Sequence, residues 1–254
     1  MRFTSEPRTD DGVVERHFAL GDIPGIIWTP ASPSAPAPLI LLGHPGGLPK
    51  MHRRLAERAR TSATEYGFAA AAIELPGSGD RPRSTDAERA RADLRRAMAA
   101  GEPVGEIVDR LIPPLVTQAV PEWQATLDAL LSLPDIGGPV GYAGGVIAIG
   151  IRLALVEPRI AAAALFAGSF VPASTFEEAR QITIPLLMLL QWDDERNDRQ
   201  AALDLFDALG AKEKTLHANM GGHAGVPQFE VDEGSRFFAR HFNREVSDGP
   251  TPAR

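Results

Sequence analysis

Residues 138–150, GPVGYAGGVIAIG, carry the reading on which the fold turns. Val140, Tyr142 and Ala143 suit a buried strand. Gly144 and Gly145 supply a turn that needs positive φ or close backbone approach. From Ile147 to Glu157 the apolar spacing is helical, and Pro158 stops it. Strand, glycine turn and helix in direct succession are the layout of a nucleophile elbow, G-x-S-x-G, in which a strained turn lifts a side chain above a sheet. With Gly144 in the first glycine position, Val146 stands where the nucleophile would be and Ala148 takes the last position. Valine has no proton to lose and no lone pair to attack with. No serine lies between Pro139 and Gly168, so sliding the register does not restore one. The stretch points to a scaffold and away from its usual chemistry.

Working outward, the apolar runs at 38–43, 68–75, 160–166 and 184–190 lack alternation, the pattern of strands buried on both faces of a parallel sheet. Helical patterns at 51–66, 85–100, 104–112, 115–131, 198–209 and 231–242 separate or follow them. Pro113-Pro114 and Pro121 interrupt the third and fourth of these. Residues 13–20 and 25–29 read as two strands joined by Gly21-Asp22, 172–181 as a mixed connection and 214–218 as a short strand. The alternation implies βαβ units, right-handed crossovers and a mainly parallel central sheet with helices on both faces. We expect a single α/β domain over residues 1–254, with 81–135 as a helical cap-like insertion or ordinary crossover helices. The polar tail after Asn243 is expected to fray.

A chain of 254 residues can bury roughly 70% of its unfolded surface, so its core needs no staples. With no cysteine there is no disulfide, thiol nucleophile or thiolate metal site. The net charge of −7 argues against nucleic acid as a partner. No apolar run approaches the ~20 residues of a membrane span, and the charged start MRFTSEPRTDDG has no signal-peptide core. A soluble cytoplasmic protein is expected, and a homodimer stays open. The six histidines show no H-x₃-H spacing, and no glycine turn carries G-x-G-x-x-G or GK[ST], so no metal and no cofactor is expected.

In such sheets, sites form at the carboxyl ends of strands. Four candidate segments fall there: His44-Pro45-Gly46-Gly47, the turn after Ala143, Gln191 to Asp194, and the loop Gly221-Gly222-His223. On these segments the sequence resembles the α/β-hydrolase superfamily, nearest to dienelactone-hydrolase-like and esterase-like members. LLGHPGG is similar to its HGGG-type loop, AAIELPGSGDR to a strand and turn before variable helices, GYAGGVIAIG to the elbow, and LLQWDDE followed by GGH to the acid strand and histidine loop. The order nucleophile, acid, histidine is the family's order.

The resemblance implies His223 as base and Asp194 as its acid, with Asp193 the second choice. It implies an oxyanion hole from backbone N–H groups near Gly46 or Gly47 and at Ile147, which survives loss of the serine. Plainer roles compete: Asp193 and Asp194 could cap the next helix, and His44 could bond loop backbone. Trp192 and Trp123 could simply pack. Ser78 and Ser169 read as small turn and loop residues, and a water activated by His223 stays open as the attacking group. The implied function is an enzyme without a serine nucleophile, using a His–Asp base and oxyanion hole on a hydrophobic carbonyl compound. Proton abstraction, cyclisation, elimination, decarboxylation and water-mediated hydrolysis are all within its reach. Two other readings stand beside it: a non-catalytic ligand-binding protein, and an ester or lactone hydrolase with a relocated nucleophile.

Overall fold

The computed structural model describes residues 1–33, 35–168 and 170–242. Ser169 and the tail from residue 243, both read above from the sequence, lie outside the described residues. In chain order the elements are β1 (Arg2–Phe3), β2 (Arg8–Asp10), β3 (Val13–Leu20), β4 (Ile23–Pro30), β5 (Ala37–Gly43), α1 (Leu48–Tyr66), β6 (Ala69–Ile73), α2 (Thr85–Ala100), α3 (Gly105–Leu131), β7 (Ile136–Gly144), α4 (Ile147–Val156), β8 (Ile160–Phe166), α5 (Ala173–Ala179), β9 (Leu186–Gln191), α6 (Arg199–Ala208), β10 (Lys214–Asn219) and α7 (Phe229–His241).

The strands form one sheet in the order β1-β3-β4-β6-β5-β7-β8-β9-β10, with β2 beside β3. Pairing is parallel from β6 through to β10 and antiparallel among β1 to β4 and between β4 and β6. All seven residues of β5 and all five of β6 are buried, as their unbroken apolar runs require of strands covered on both faces. One face packs α1 and α7 through Leu55, Ala59, Phe68, Phe238 and Phe242. The other packs α2 to α6 around Trp123, Leu127, Tyr142, Ile151 and Leu165. Trp123 meets Tyr142 edge-on, with ring centres 6.1 Å apart.

Two helices differ from their sequence patterns. The apolar pattern of α1 starts at 51, but the helix begins at Leu48. Pro49 lies in its first turn, where a missing N–H costs nothing. The buried Glu74, just past β6, also accepts the Leu48 N–H on both carboxylate oxygens, at 3.2 and 3.0 Å. A tertiary carboxylate at a helix N-terminus is favourable, and local sequence does not reveal it. The second difference is α3, which runs unbroken through Pro113, Pro114 and Pro121 instead of splitting at them. Its apolar stripe, from Val108 and Leu111 through Val116 and Trp123 to Leu130, is buried along its length. That burial outweighs the ~3 kcal/mol an interior proline costs.

Helix α3 is therefore anchored by its middle. Trp123→Ala should cost about 3–5 kcal/mol in urea unfolding, while Arg89→Ala on the exposed face of α2 should stay within about 0.5 kcal/mol of wild type.

Candidate active site

The strands β7, β8, β9 and β10 are parallel neighbours, so their carboxyl ends lie side by side. At the tip of β7 the two positive-φ residues are Gly144, at 81°, and Gly145, at 78°. Both are needed as glycine. A Cβ on Gly145 would lie 2.9 Å from the Gly43 Cα and 2.7 Å from the Tyr142 hydroxyl. One on Gly144 would lie 3.0 Å from the Arg58 guanidinium. Burial pushes Arg58 down to about 10, with Arg54 adding repulsion.

Val146 follows as the N-cap of α4, nearly buried and with an extended backbone. The strained positions of this turn thus carry no side chain, and the residue that does carry one is unstrained. A second register is also visible here. Gly141-Tyr142-Ala143-Gly144-Gly145 supplies both glycines of G-x-S-x-G and sets Ala143 in the middle. Ala143 is buried at the end of β7, opposite Leu42 and Ala164. Sequence reasoning missed this register, though the glycine pair could have suggested it.

Asp194 follows β9 and His223 follows β10. His223 Nδ1 lies 2.9 Å from Asp194 Oδ2. The Asp194 side chain is 3% exposed and that of His223 22%. Asn197 Nδ2 donates to the same oxygen at 3.0 Å, and the Arg196 N–H donates to Oδ1 at 2.8 Å. Burial alone would raise the Asp194 pKa. The hydrogen bonds from Arg196, His223 and Asn197 outweigh it, and the carboxyl is held below its ordinary value. With Nδ1–H donating to this carboxylate, Nε2 is the bare, basic nitrogen. The histidine loop is fixed from two sides. The His223 N–H donates to Glu195 Oε2 at 2.9 Å, and Gln191 Nε2 donates to the Gly222 carbonyl at 3.2 Å. The ring meets Phe166, at the tip of β8, edge-on at 5.7 Å.

Asp193 takes no part in holding the ring; its N–H donates to the Gly221 carbonyl. His44 is buried and donates from Nε2 to the Ile73 carbonyl at 2.8 Å, and burial lowers its pKa. Trp192 lies under the Arg199 guanidinium at 4.4 Å. Gly46 and Gly47 form the loop between β5 and α1, where the Gly47 carbonyl accepts from Lys50 and Met51. A cavity of about 440 Å³ opens beside Asn197, walled by Met98, Val108, Ile147, Ala167 and Phe176. It therefore touches the residue after Val146, the residue after Phe166 and the amide that holds Asp194. Among the described residues no helix is long and apolar enough to cross a membrane.

Strand order, crossovers and the order of the strand-end segments define an α/β-hydrolase fold. No family model and no curated protein sequence matches the chain. Solved structures do. A cold-adapted esterase from an Arctic intertidal metagenomic library, in complex with PEG, is 28% identical at a TM-score of 0.72, over 95% of this chain and all of that one. A candidate dienelactone hydrolase from Klebsiella pneumoniae is 14% identical at 0.66, over 92% of this chain and 100% of its own. An acetyl xylan esterase from Paenibacillus is 14% identical at 0.64, over 94% and 88%. These last two share the fold.

Because the Asp194 pKa is lowered in the folded state, its ionised form stabilises the fold above the unfolded value of about 3.9, and the contribution is lost as pH falls through the folded value. Asp194→Asn should be less stable than wild type at pH 7. Urea titrations at successively lower pH should find that gap closing below about pH 4.

Proposed function

We propose that this chain is an enzyme on an α/β-hydrolase scaffold that acts on a hydrophobic, carbonyl-containing small molecule without a hydroxyl nucleophile. In this reading His223 is the general base and Asp194 its orienting carboxylate. The observation that carries it is the 2.9 Å contact between the imidazole and a buried carboxylate, both touched by Asn197, which lines an apolar cavity. An imidazole held this way is fixed in one tautomer, with Nε2 free to take a proton. The carboxylate also stabilises the imidazolium once it forms.

Neither Val146 nor Ala143 can form an acyl-enzyme, so the attacking group is water. Water gives a proton to His223 Nε2 as its oxygen adds to the carbonyl carbon. The tetrahedral intermediate then collapses, and the leaving alkoxide takes the proton back from the imidazolium. Backbone N–H groups at Gly46 and Gly47 are the donors we assign to the developing oxyanion. Helices α2 and α3, which wall the cavity through Met98 and Val108, act as its cap. The likeness to esterases favours an ester or lactone as the carbonyl compound. Proton abstraction next to a carbonyl would use the same base. The alkyl side chains at the turn also favour a second reading, a ligand-binding protein that has lost its chemistry.

A chromogenic ester screen separates the two. Wild type should turn over short-chain esters slowly, and His223→Ala should lower kcat/KM by about 10²–10⁴-fold. A silent wild type that gains activity as Val146→Ser or Ala143→Ser would sink the serine-free mechanism and support lost chemistry.

A further inference from the structure

On the face of the sheet opposite the cavity that Asn197 lines, three side chains turn ligand atoms toward one point. Glu15 and His17 are two residues apart on β3 and so share a face. His52 reaches them from α1, which packs across that face. His52 Nε2 lies 3.0 Å from Glu15 Oε2, and His17 Nε2 lies 3.3 Å from Glu15 Oε1. All three ligand atoms fall within 4.8 Å of one another. We propose that Glu15, His17 and His52 bind a divalent first-row ion of the zinc type.

The two imidazole–carboxylate separations, 3.0 and 3.3 Å, are of the size such an ion needs. Nitrogen and oxygen ligands at about 2.0–2.2 Å around a tetrahedral zinc lie roughly 3.3 Å apart. Each histidine presents Nε2, and among the described residues neither Nδ1 makes a hydrogen bond, so each ring can carry its remaining proton on Nδ1, toward solvent. The carboxylate has an outer-shell partner: Trp28 Nε1–H donates to Glu15 Oε2 at 2.6 Å and fixes its orientation. His17 and His52 are 47% and 40% exposed, so an ion reaches them directly from solvent. A cavity of about 490 Å³ in front of Glu15, Trp28 and His52 leaves room for water in the fourth position. Arg8, Arg53 and Arg60 line the same cavity, but Asp10 and Glu57 face them, and Arg60 is held by Asp10 at 2.8 Å. Two imidazoles and one carboxylate favour zinc or cobalt over magnesium or calcium. The bound ion ties β3 to α1.

Chain length hides this site. Glu15 and His52 stand 37 residues apart, and a search for His pairs spaced along one helix passes over them.

The test uses the tag-free full chain, stripped with chelator and dialysed against micromolar zinc. Wild type should retain one equivalent, raise its thermal midpoint with zinc, and show visible absorption with cobalt. Magnesium and calcium should do neither. His17→Ala and His52→Ala, both at half-exposed positions, should keep the metal-free midpoint and weaken zinc binding by about 100-fold or more. Trp28→Phe should weaken it by about 10–100-fold, as loss of an outer-shell partner does. Surface histidines binding zinc by chance would not respond to Trp28. Less than one equivalent on wild type, or undiminished binding by both histidine variants, overturns the proposal. Glu15→Gln, read the same way, covers the case in which a histidine variant fails to fold.

Discussion

The tips of β5 and β7 approach so closely that no side chain fits between them. Gly43, Gly144 and Gly145 meet there, and the Tyr142 hydroxyl fills the small space they leave. Much of the site follows from this contact. It fixes where β7 ends and where α4 begins, and it brings the loop after β5 beside the turn after β7. It also removes side chains from the two left-handed positions, so the turn that would normally present a reacting group presents bare backbone. The glycines are explained by geometry alone, whatever chemistry the chain performs.

Two strands further along the sheet the constraint is electrostatic. A carboxylate as buried as Asp194 would be costly without partners. It has three donors, from the Arg196 amide, the Asn197 side chain and the His223 ring. Two of these come from its own short loop after β9. The ring is therefore recruited by a charge that is already largely satisfied, which makes the pair durable. Glu195, in the same loop, holds the His223 backbone. The seven-residue connection between β9 and α6 thus holds both the ring and the backbone of His223.

Elements whose boundaries depend on nearby residues were legible in the sequence. The alanine-rich α2 between Ser84 and Gly101, and the apolar β8, stand where their patterns put them. The offset past the strand favoured Asp194 over Asp193 without deciding between them, because the family's Val-Pro turn is missing; the folded loop puts Asp194 Oδ2 on the ring. Features set by distant residues were not legible. The start of α1 depends on Glu74, just past the next strand, and the continuity of α3 depends on what its stripe packs against. The grouping of Glu15, His17 and His52 needs a helix laid across a strand, which no spacing rule along the chain contains. The glycine pair at 144 and 145 permitted two motif registers, and composition could not choose between them.

Helix α3 crosses Pro113 and Pro114 without breaking, but each proline leaves a carbonyl one turn back with no amide to receive. Two of the ties that would resist bending near Asp109 and Arg110 are therefore missing. On one side of this point the helix walls the cavity through Gly105 and Val108; on the other, Trp123 and Leu127 clamp it to the sheet. The rod is most compliant where its load changes from guest to scaffold. One wall of the chamber is springier than its floor, and that elasticity is written into a helix instead of a loop.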